Sequence, residues 1–155
     1  MTPGTLMRDP DQSLPMLLLR SREAVMAHFR PILSEAGLTE QQWRVLRVLW
    51  KRNGTEAREL AERTLMLRPS LTGVIDRLER DGLVERRSDD SDGRKVRLWL
   101  TRKARRLYER LSPQLEKEYQ RMQARLTDAA WINLYSALEQ LVRLNNVGSA
   151  NPEST

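Results

Sequence analysis

The chain has 155 residues, with 27 Lys/Arg against 21 Asp/Glu, one histidine and no cysteine. That length suits one domain, alone or with a helical extension, and the lack of cysteine excludes disulfides, thiolate metal sites and thiol redox sensing. The net charge of +6 is local: residues 51–110 hold 17 Lys/Arg and 11 Asp/Glu, whereas the rest of the chain holds 10 of each. Such a segment attracts a polyanion in a salt-dependent way, although a solvated basic face without a partner has the same composition.

Residues 1–12 are polar and contain proline, which predicts a flexible segment. No signal-peptide pattern opens the chain. The apolar run Leu14–Leu19 is short, contains Pro15 and ends at Arg20, so it predicts no membrane span, and a soluble cytoplasmic protein is expected. Ser13 to Ala36 reads as a helix with Leu14, Leu17, Leu18, Val25, Phe29, Ile32 and Leu33 near one stripe. Pro15 suits its first turn, Pro31 predicts a kink or an early break, and Gly37 suits the residue that closes it.

Thr39-Glu40-Gln41-Gln42 has the capping-box spacing and opens a helix with Trp43, Leu46, Leu49 and Trp50 inward, ending near Asn53-Gly54. Thr55 is either a one-residue β-bridge or a helix cap. Glu56–Arg63 reads as a short helix with Ala57, Leu60 and Ala61 inward, followed by a tight apolar turn, Leu65-Met66-Leu67. Pro69 starts the next helix, in which Leu71, Val74, Ile75 and Leu78 follow the i, i+3, i+4, i+7 rule. Arg68, Ser70, Thr72, Gly73, Asp76 and Arg77 are left on its other face.

Asp81-Gly82 ends that helix, and Leu83–Arg87 and Lys95–Leu100 read as two strands. In the second, Val96, Leu98 and Leu100 alternate with Lys95, Arg97 and Trp99. Thr101 caps a long helix with Ala104, Leu107, Tyr108, Leu111, Leu115, Tyr119, Met122 and Leu126 on one side, which Pro113 is placed to bend. Thr127 caps a last helix with Trp131, Leu134, Tyr135, Leu138, Leu141 and Val142 on one side. The fold class expected is mainly α with a small β-hairpin.

Two short helices with a four-residue connection, followed by a basic hairpin, match a winged helix-turn-helix, which places one helix in the DNA major groove and the hairpin on neighbouring phosphates. Arg68 has the geometry to bridge guanine O6 and N7. Ser70 and Thr72 can bond bases or phosphates, and Pro69 starts the helix that carries them. Gly73 permits close approach of the backbone, and Arg77 suits a phosphate. In the hairpin Arg87, Arg94 and Lys95 flank the tip Ser88–Gly93, where a guanidinium can enter the minor groove. Asp92 and Arg94 are candidates to pair and shape the wing, and Arg94 can serve both uses. A calcium loop fails here, because its first ligand position would be Ser88 and its twelfth is Trp99. The plain alternative for the whole region is a helix–hairpin packing unit with charged exteriors.

The segment GLVERRSDDSDGRKVRLWLT resembles the wing of the MarR family, keeping Asp92-Gly93-Arg94 and Leu100-Thr101 and departing at Ala104, where a glycine is usual. Within the family, REAVMAHFRPI, LTEQQWRVLR and LRPSLTGVIDRLERDGLV are similar to repressors of homoprotocatechuate (4-hydroxyphenylacetate) degradation and to related regulators of aromatic and nicotinate catabolism. The resemblance covers roughly residues 13–145. It implies a homodimer held by the N- and C-terminal helices, double-stranded DNA with a pseudo-palindromic operator as partner, and a small aromatic carboxylate that lowers DNA affinity. On this reading residues 13–36 are a dimerisation helix, 37–100 the DNA-binding domain, 101–145 the C-terminal dimerisation helices and 146–155 a disordered tail. Two-fold symmetry sets the recognition helices about one DNA turn apart, roughly 34 Å. The terminal apolar stripes need partners in any case, either across a dimer or within a monomer.

The resemblance also implies a ligand crevice between the first helix and the Thr39–Trp50 helix. The residues there that suit an aromatic carboxylate are Ser13, Met16, Arg20, His28, Trp43 and Arg44: cations for the charge, an OH or imidazole for a ring substituent, an aromatic wall. Each has another reading: Trp43 as core, His28 as a surface group, Arg20 and Arg44 as partners of Glu23 or Glu40. A regulator without a ligand remains an alternative. Catalysis finds no support, since no Ser-His-Asp spacing, phosphate-cradling loop or HExxH is present, and no metal site is expected.

Overall fold

The computed structural model describes residues 9–89 and 91–147, with side chains as far as Leu144. After a 3-10 turn at Pro10–Gln12 come α1 (Leu14–Glu35), α2 (Glu40–Lys51), β1 (Thr55–Glu56), α3 (Ala57–Thr64), α4 (Arg68–Arg80), β2 (Val84–Ser88), β3 (Val96–Leu100), α5 (Arg102–Gln123) and α6 (Asp128–Val147). The strands form one antiparallel sheet in the order β1-β3-β2. The chain falls into two units that divide at Leu115/Glu116, within α5.

Several boundaries follow from short-range chemistry. Gly37 takes φ +72 and closes α1: its N–H donates to the Ser34 carbonyl at 3.0 Å and that of Leu38 to the Leu33 carbonyl at 2.9 Å, the paired bonds of a Schellman ending. The capping box at α2 forms as the spacing predicts, with Gln42 N–H donating to Thr39 Oγ1 (3.1 Å) and Thr39 N–H to Gln42 Oε1 (2.9 Å). Thr101 caps α5, accepting from Ala104 N–H at 3.2 Å, and its own hydroxyl donates to the Gly82 carbonyl at 2.7 Å. Thr127 accepts from Ala130 N–H at 3.2 Å at the start of α6.

The core of the first unit sits between α2, α3, α4 and the sheet. Leu46, Leu49, Leu60, Leu71, Leu78 and Leu98 are fully buried, and all four residues that the α4 periodicity places inward are buried. Burying each leucine contributes about 1.5–3 kcal/mol.

Some expectations need correction. Pro31 neither ends nor breaks α1, which runs on to Glu35, because Phe29 and Leu33 on either side of it are buried and hold the turn. Trp50 is exposed at its edge and lies flat on Tyr108. Ala57 opens α3 on the solvent side, and Val96, opposite Ser88 at the far end of the hairpin, lies beyond the reach of the core. Thr55 is a strand residue paired with Leu98. Of the tail read at 146–155, residues 146–147 belong to the last turn of α6, and 148–155 lie outside the described residues.

Candidate functional site

The helix α4 presents Arg68, Pro69, Ser70, Thr72, Asp76 and Arg77 to solvent, with Gly73 between them. Thr72 Oγ1 donates back to the Arg68 carbonyl at 3.0 Å, and Arg77 Nε to the Gly73 carbonyl at 3.1 Å, so both side chains lie along the helix. A Cβ on Gly73 would meet nothing nearer than an Arg77 nitrogen at 4.0 Å, which leaves this face open to a large partner.

Wing and helix are fastened to each other. Arg86 on β2 donates to Asp76 at 2.6 Å and to Glu79, both on α4. Those bonds, Asp76 first, hold its guanidinium above the ordinary range. Toward the tip of the wing Arg97 Nε donates to Asp89 Oδ2 at 2.7 Å, its Nη1 donates to the Gly54 carbonyl at 3.0 Å, and Glu56 lies at 3.4 Å. Asp89 also accepts from the Ser91 hydroxyl (2.7 Å) and N–H (3.0 Å), and these bonds, followed by that from Arg97, hold its carboxyl far below the usual aspartate range.

The predicted wing residues divide by role. Asp92 shapes the tip, but through the main chain: its carboxylate accepts from the Arg94 N–H at 3.2 Å, as short Asx turns do. The Arg94 guanidinium is exposed and makes no ion pair with the described residues. Arg68, at the leading end of α4, is in the same condition. Arg87 pairs with Glu85 and lies over the Trp99 ring, 5.1 Å from its centroid, while Lys95 stands 3.7 Å from Glu56. The fastening pair Asp89–Arg97 was not legible in the sequence, since it depends on strand register; the only signal was a charge, Arg97, alternating with apolar neighbours.

The predicted ligand residues fall in separate places. Ser13 donates to the Pro10 carbonyl at 2.8 Å and Arg20 to Asp11 at 2.8 Å, so both belong to the N-terminal corner of α1, and Met16 is half-buried one turn in. His28 is half-buried on α1. Trp43 is buried and stacks on Tyr108 of α5 (4.9 Å between centroids), whose other side faces Trp50 at 4.3 Å. Arg44 turns to α3, where it donates to the Thr64 carbonyl at 3.0 Å. It lines a cleft of about 410 Å³ with Arg47, Val48, Lys51, Arg52 and Arg63. Five cations around one cleft, offset by Glu59 at 2.7 Å from Arg63, suit an anion. Arg47 was not singled out by sequence, although it stands one helical turn after Trp43 and therefore on its face.

Helices α1 and α2 are clasped by Glu40, which accepts from Arg22 at 2.7 Å and from Arg30, and Arg30 also donates to Glu23 at 2.6 Å. Burial works to raise the Glu40 carboxyl, and the two arginines overcome it and leave it below its ordinary range. Elsewhere on α1, Leu14, Leu17 and Leu18 are exposed, and on α6 so are Ile132, Leu134, Tyr135, Leu138, Leu141 and Val142.

Comparison with known proteins agrees with this arrangement. Residues 38–96 match the sequence profile of the MarR family. The chain is 42% identical over 134 residues to the homoprotocatechuate degradative operon repressor of Escherichia coli, a match that covers 86% of this chain and 90% of the relative. Among solved structures it is similar to the transcriptional regulator PA4135 (44% identity, TM-score 0.79, covering 84% of this chain and 96% of that one). It is also similar to NadR in complex with 4-hydroxyphenylacetate (36% identity, TM-score 0.74, covering 88% and 97%).

Proposed function

The chain belongs to the MarR family of transcriptional regulators, and from that premise we propose that it is a repressor that binds a pseudo-palindromic operator as a homodimer and is released by a small aromatic carboxylate. The observation that carries the DNA reading is the open face of α4, small and polar at Ser70, Thr72 and Gly73, fastened through Arg86 to a wing whose exposed Arg94 makes no ion pair with the described residues. Arg68 reads a base edge and Ser70 and Thr72 bond bases or phosphates. Arg77, Arg87 and Lys95 neutralise phosphates, Arg94 enters the minor groove, and Asp92 sets the shape of the tip. Pro69, second residue of the reading helix, fits its first turn, and Gly73 lets its backbone approach.

Dimerisation is supported by the exposed leucines of α1 and the apolar face of α6, which are too extensive to face water. The effector class is supported by the names of the relatives and by the cationic cleft on α2. A carboxylate bound at Arg44 and Arg47, with its ring toward Trp43 and with Ser13, Met16, Arg20 and His28 supplied at the dimer crevice, favours a spacing of recognition helices that no longer fits one DNA turn. The protein works in the cytoplasm, where its operator is.

Footprinting on a duplex selected from a random pool tests this reading. Two protected half-sites about one helical turn apart, with a dimer in sedimentation, are expected. Uniform protection along the duplex by a monomer would contradict it.

A further inference from the structure

Leu65 and Leu67 are the most exposed large apolar side chains among the described residues, at 89% and 79%. They stand on either side of Met66, which is buried and anchors the turn between α3 and α4. The turn is fixed from below: Met66 N–H donates to the Ala61 carbonyl at 3.2 Å, and the buried Thr64 hydroxyl donates to the Leu60 carbonyl at 2.6 Å. The two leucines are therefore held outward on a rigid base. The tight apolar turn expected at Leu65-Met66-Leu67 forms, with Met66 alone of the three buried.

Leu65 is also the one non-glycine residue with left-handed backbone among the described residues, at φ 53. Glycine or asparagine closes a helix there with less strain. Neither backbone conformation nor packing within the chain accounts for a leucine at this position, and strain retained without internal compensation points outward, to a partner.

Single exposed leucines need no explanation, but two within three residues at the leading end of a reading helix do. The exposed leucines of α1 and α6 lie along helix faces that a second copy would cover; these two do not. Arg63, bound to Glu59 at 2.7 Å, precedes the pair and Arg68 follows it, both exposed, so a cation stands on each side of the apolar tip. A partner that is anionic overall and apolar at one point fits that arrangement. The major groove is such a partner, because the thymine 5-methyl is the apolar group on its base edges and the phosphates lie on both sides. The first residues of a recognition helix are those that reach those edges.

We propose that Leu65 and Leu67 form an apolar reading tip that packs on thymine methyl groups of the operator. The proposal rests on the DNA-binding reading above and adds to it the chemistry by which the turn discriminates.

The test uses the full chain and a duplex selected from a random pool of double-stranded DNA. Affinity is measured for that duplex and for versions in which each thymine is replaced singly by deoxyuridine, which removes the methyl group alone. The wild type is expected to lose about fourfold at one or two thymines per half-site, the ratio that corresponds to burying one methyl group. Leu67→Ala and Leu65→Asn, the latter tolerant of left-handed backbone, are expected to bind the thymine and deoxyuridine duplexes alike, with the salt dependence of binding unchanged. Equal wild-type affinity for every substituted duplex overturns the proposal, and so does a pair of variants that both keep the discrimination. Loss of self-association or of an acidic protein partner, without loss of methyl discrimination, overturns it as well. A pool that yields no enriched duplex overturns the DNA-binding premise, and the proposal with it.

Discussion

Asp89 and Arg97 lock the tip end of the wing, their side chains 2.7 Å apart, and the same arginine reaches the Gly54 carbonyl beside β1 at 3.0 Å. One side chain thus ties the hairpin tip to the sheet edge that lies next to α3. The pair is half-buried, with the Asp89 side chain 13% and that of Arg97 37% exposed, but it lies toward the far end of the hairpin, away from the helical core, so its effect falls on the direction of the wing more than on global stability. Asp89→Asn or Arg97→Gln is expected to weaken operator binding about tenfold while shifting the melting temperature by no more than a degree or two, as measured by anisotropy and calorimetry.

The depressed Asp89 carboxyl sets the sign of the pH response. Because its folded-state value lies below its unfolded one, the wing fastening is fully present above the ordinary aspartate pKa of about 4 and is lost only as pH falls toward the depressed value. The carboxyl carbon of Asp89, followed by NMR, is expected to show no titration between pH 7 and about 4. A midpoint near the ordinary value would contradict the geometry.

Arg68 and Arg94 separate reading from positioning. Arg68→Ala is expected to cost about 1–3 kcal/mol on the selected operator and to relax the preference at one base pair per half-site. Arg94→Ala is expected to weaken binding to all duplexes and to reduce the salt slope by about one. Binding titrations at several salt concentrations with specific and random duplexes distinguish the two.

Much of this architecture was legible in the sequence. Leu71, Val74, Ile75 and Leu78 placed α4 because their spacing alone decides which face is buried, and Thr39-Gln42 and Gly37 placed helix ends because capping is chemistry within four residues. Contacts that depend on register or on a neighbouring element were not legible. The Asp89–Arg97 pair, the turn of Arg44 toward Thr64 and the position of Tyr108 between Trp43 and Trp50 arise only after strands and helices have packed. The outward leucines of the turn ran against the usual rule that apolar residues close a turn from inside.

Gly73 gives a prediction in which stability and function diverge. Its Cβ position is open, so Gly73→Ala should stabilise α4 by about 0.5–1 kcal/mol through backbone entropy. The added methyl stands on the face offered to DNA, and operator affinity is expected to fall. Denaturant unfolding and operator titration of the same variant read the two effects.

Gly54 gives the opposite case. It takes φ +78, and a Cβ there would lie 2.6 Å from Cζ2 of Trp99. Left-handed strain and the clash together predict that Gly54→Ala costs about 2–4 kcal/mol, read as a lower denaturant midpoint. Gly93→Ala, with no such neighbour, should change it little.

The central claim is that an aromatic acid and the operator compete through the dimer. Its most direct test is the affinity of the full chain for its selected operator, measured by anisotropy with and without 4-hydroxyphenylacetate, homoprotocatechuate or 6-hydroxynicotinate at millimolar concentration. At least a tenfold loss with one of them is expected, about 1.4 kcal/mol of coupling, matched by an equal weakening of the acid's own binding when operator is saturating. Unchanged operator affinity with all three acids would contradict the account.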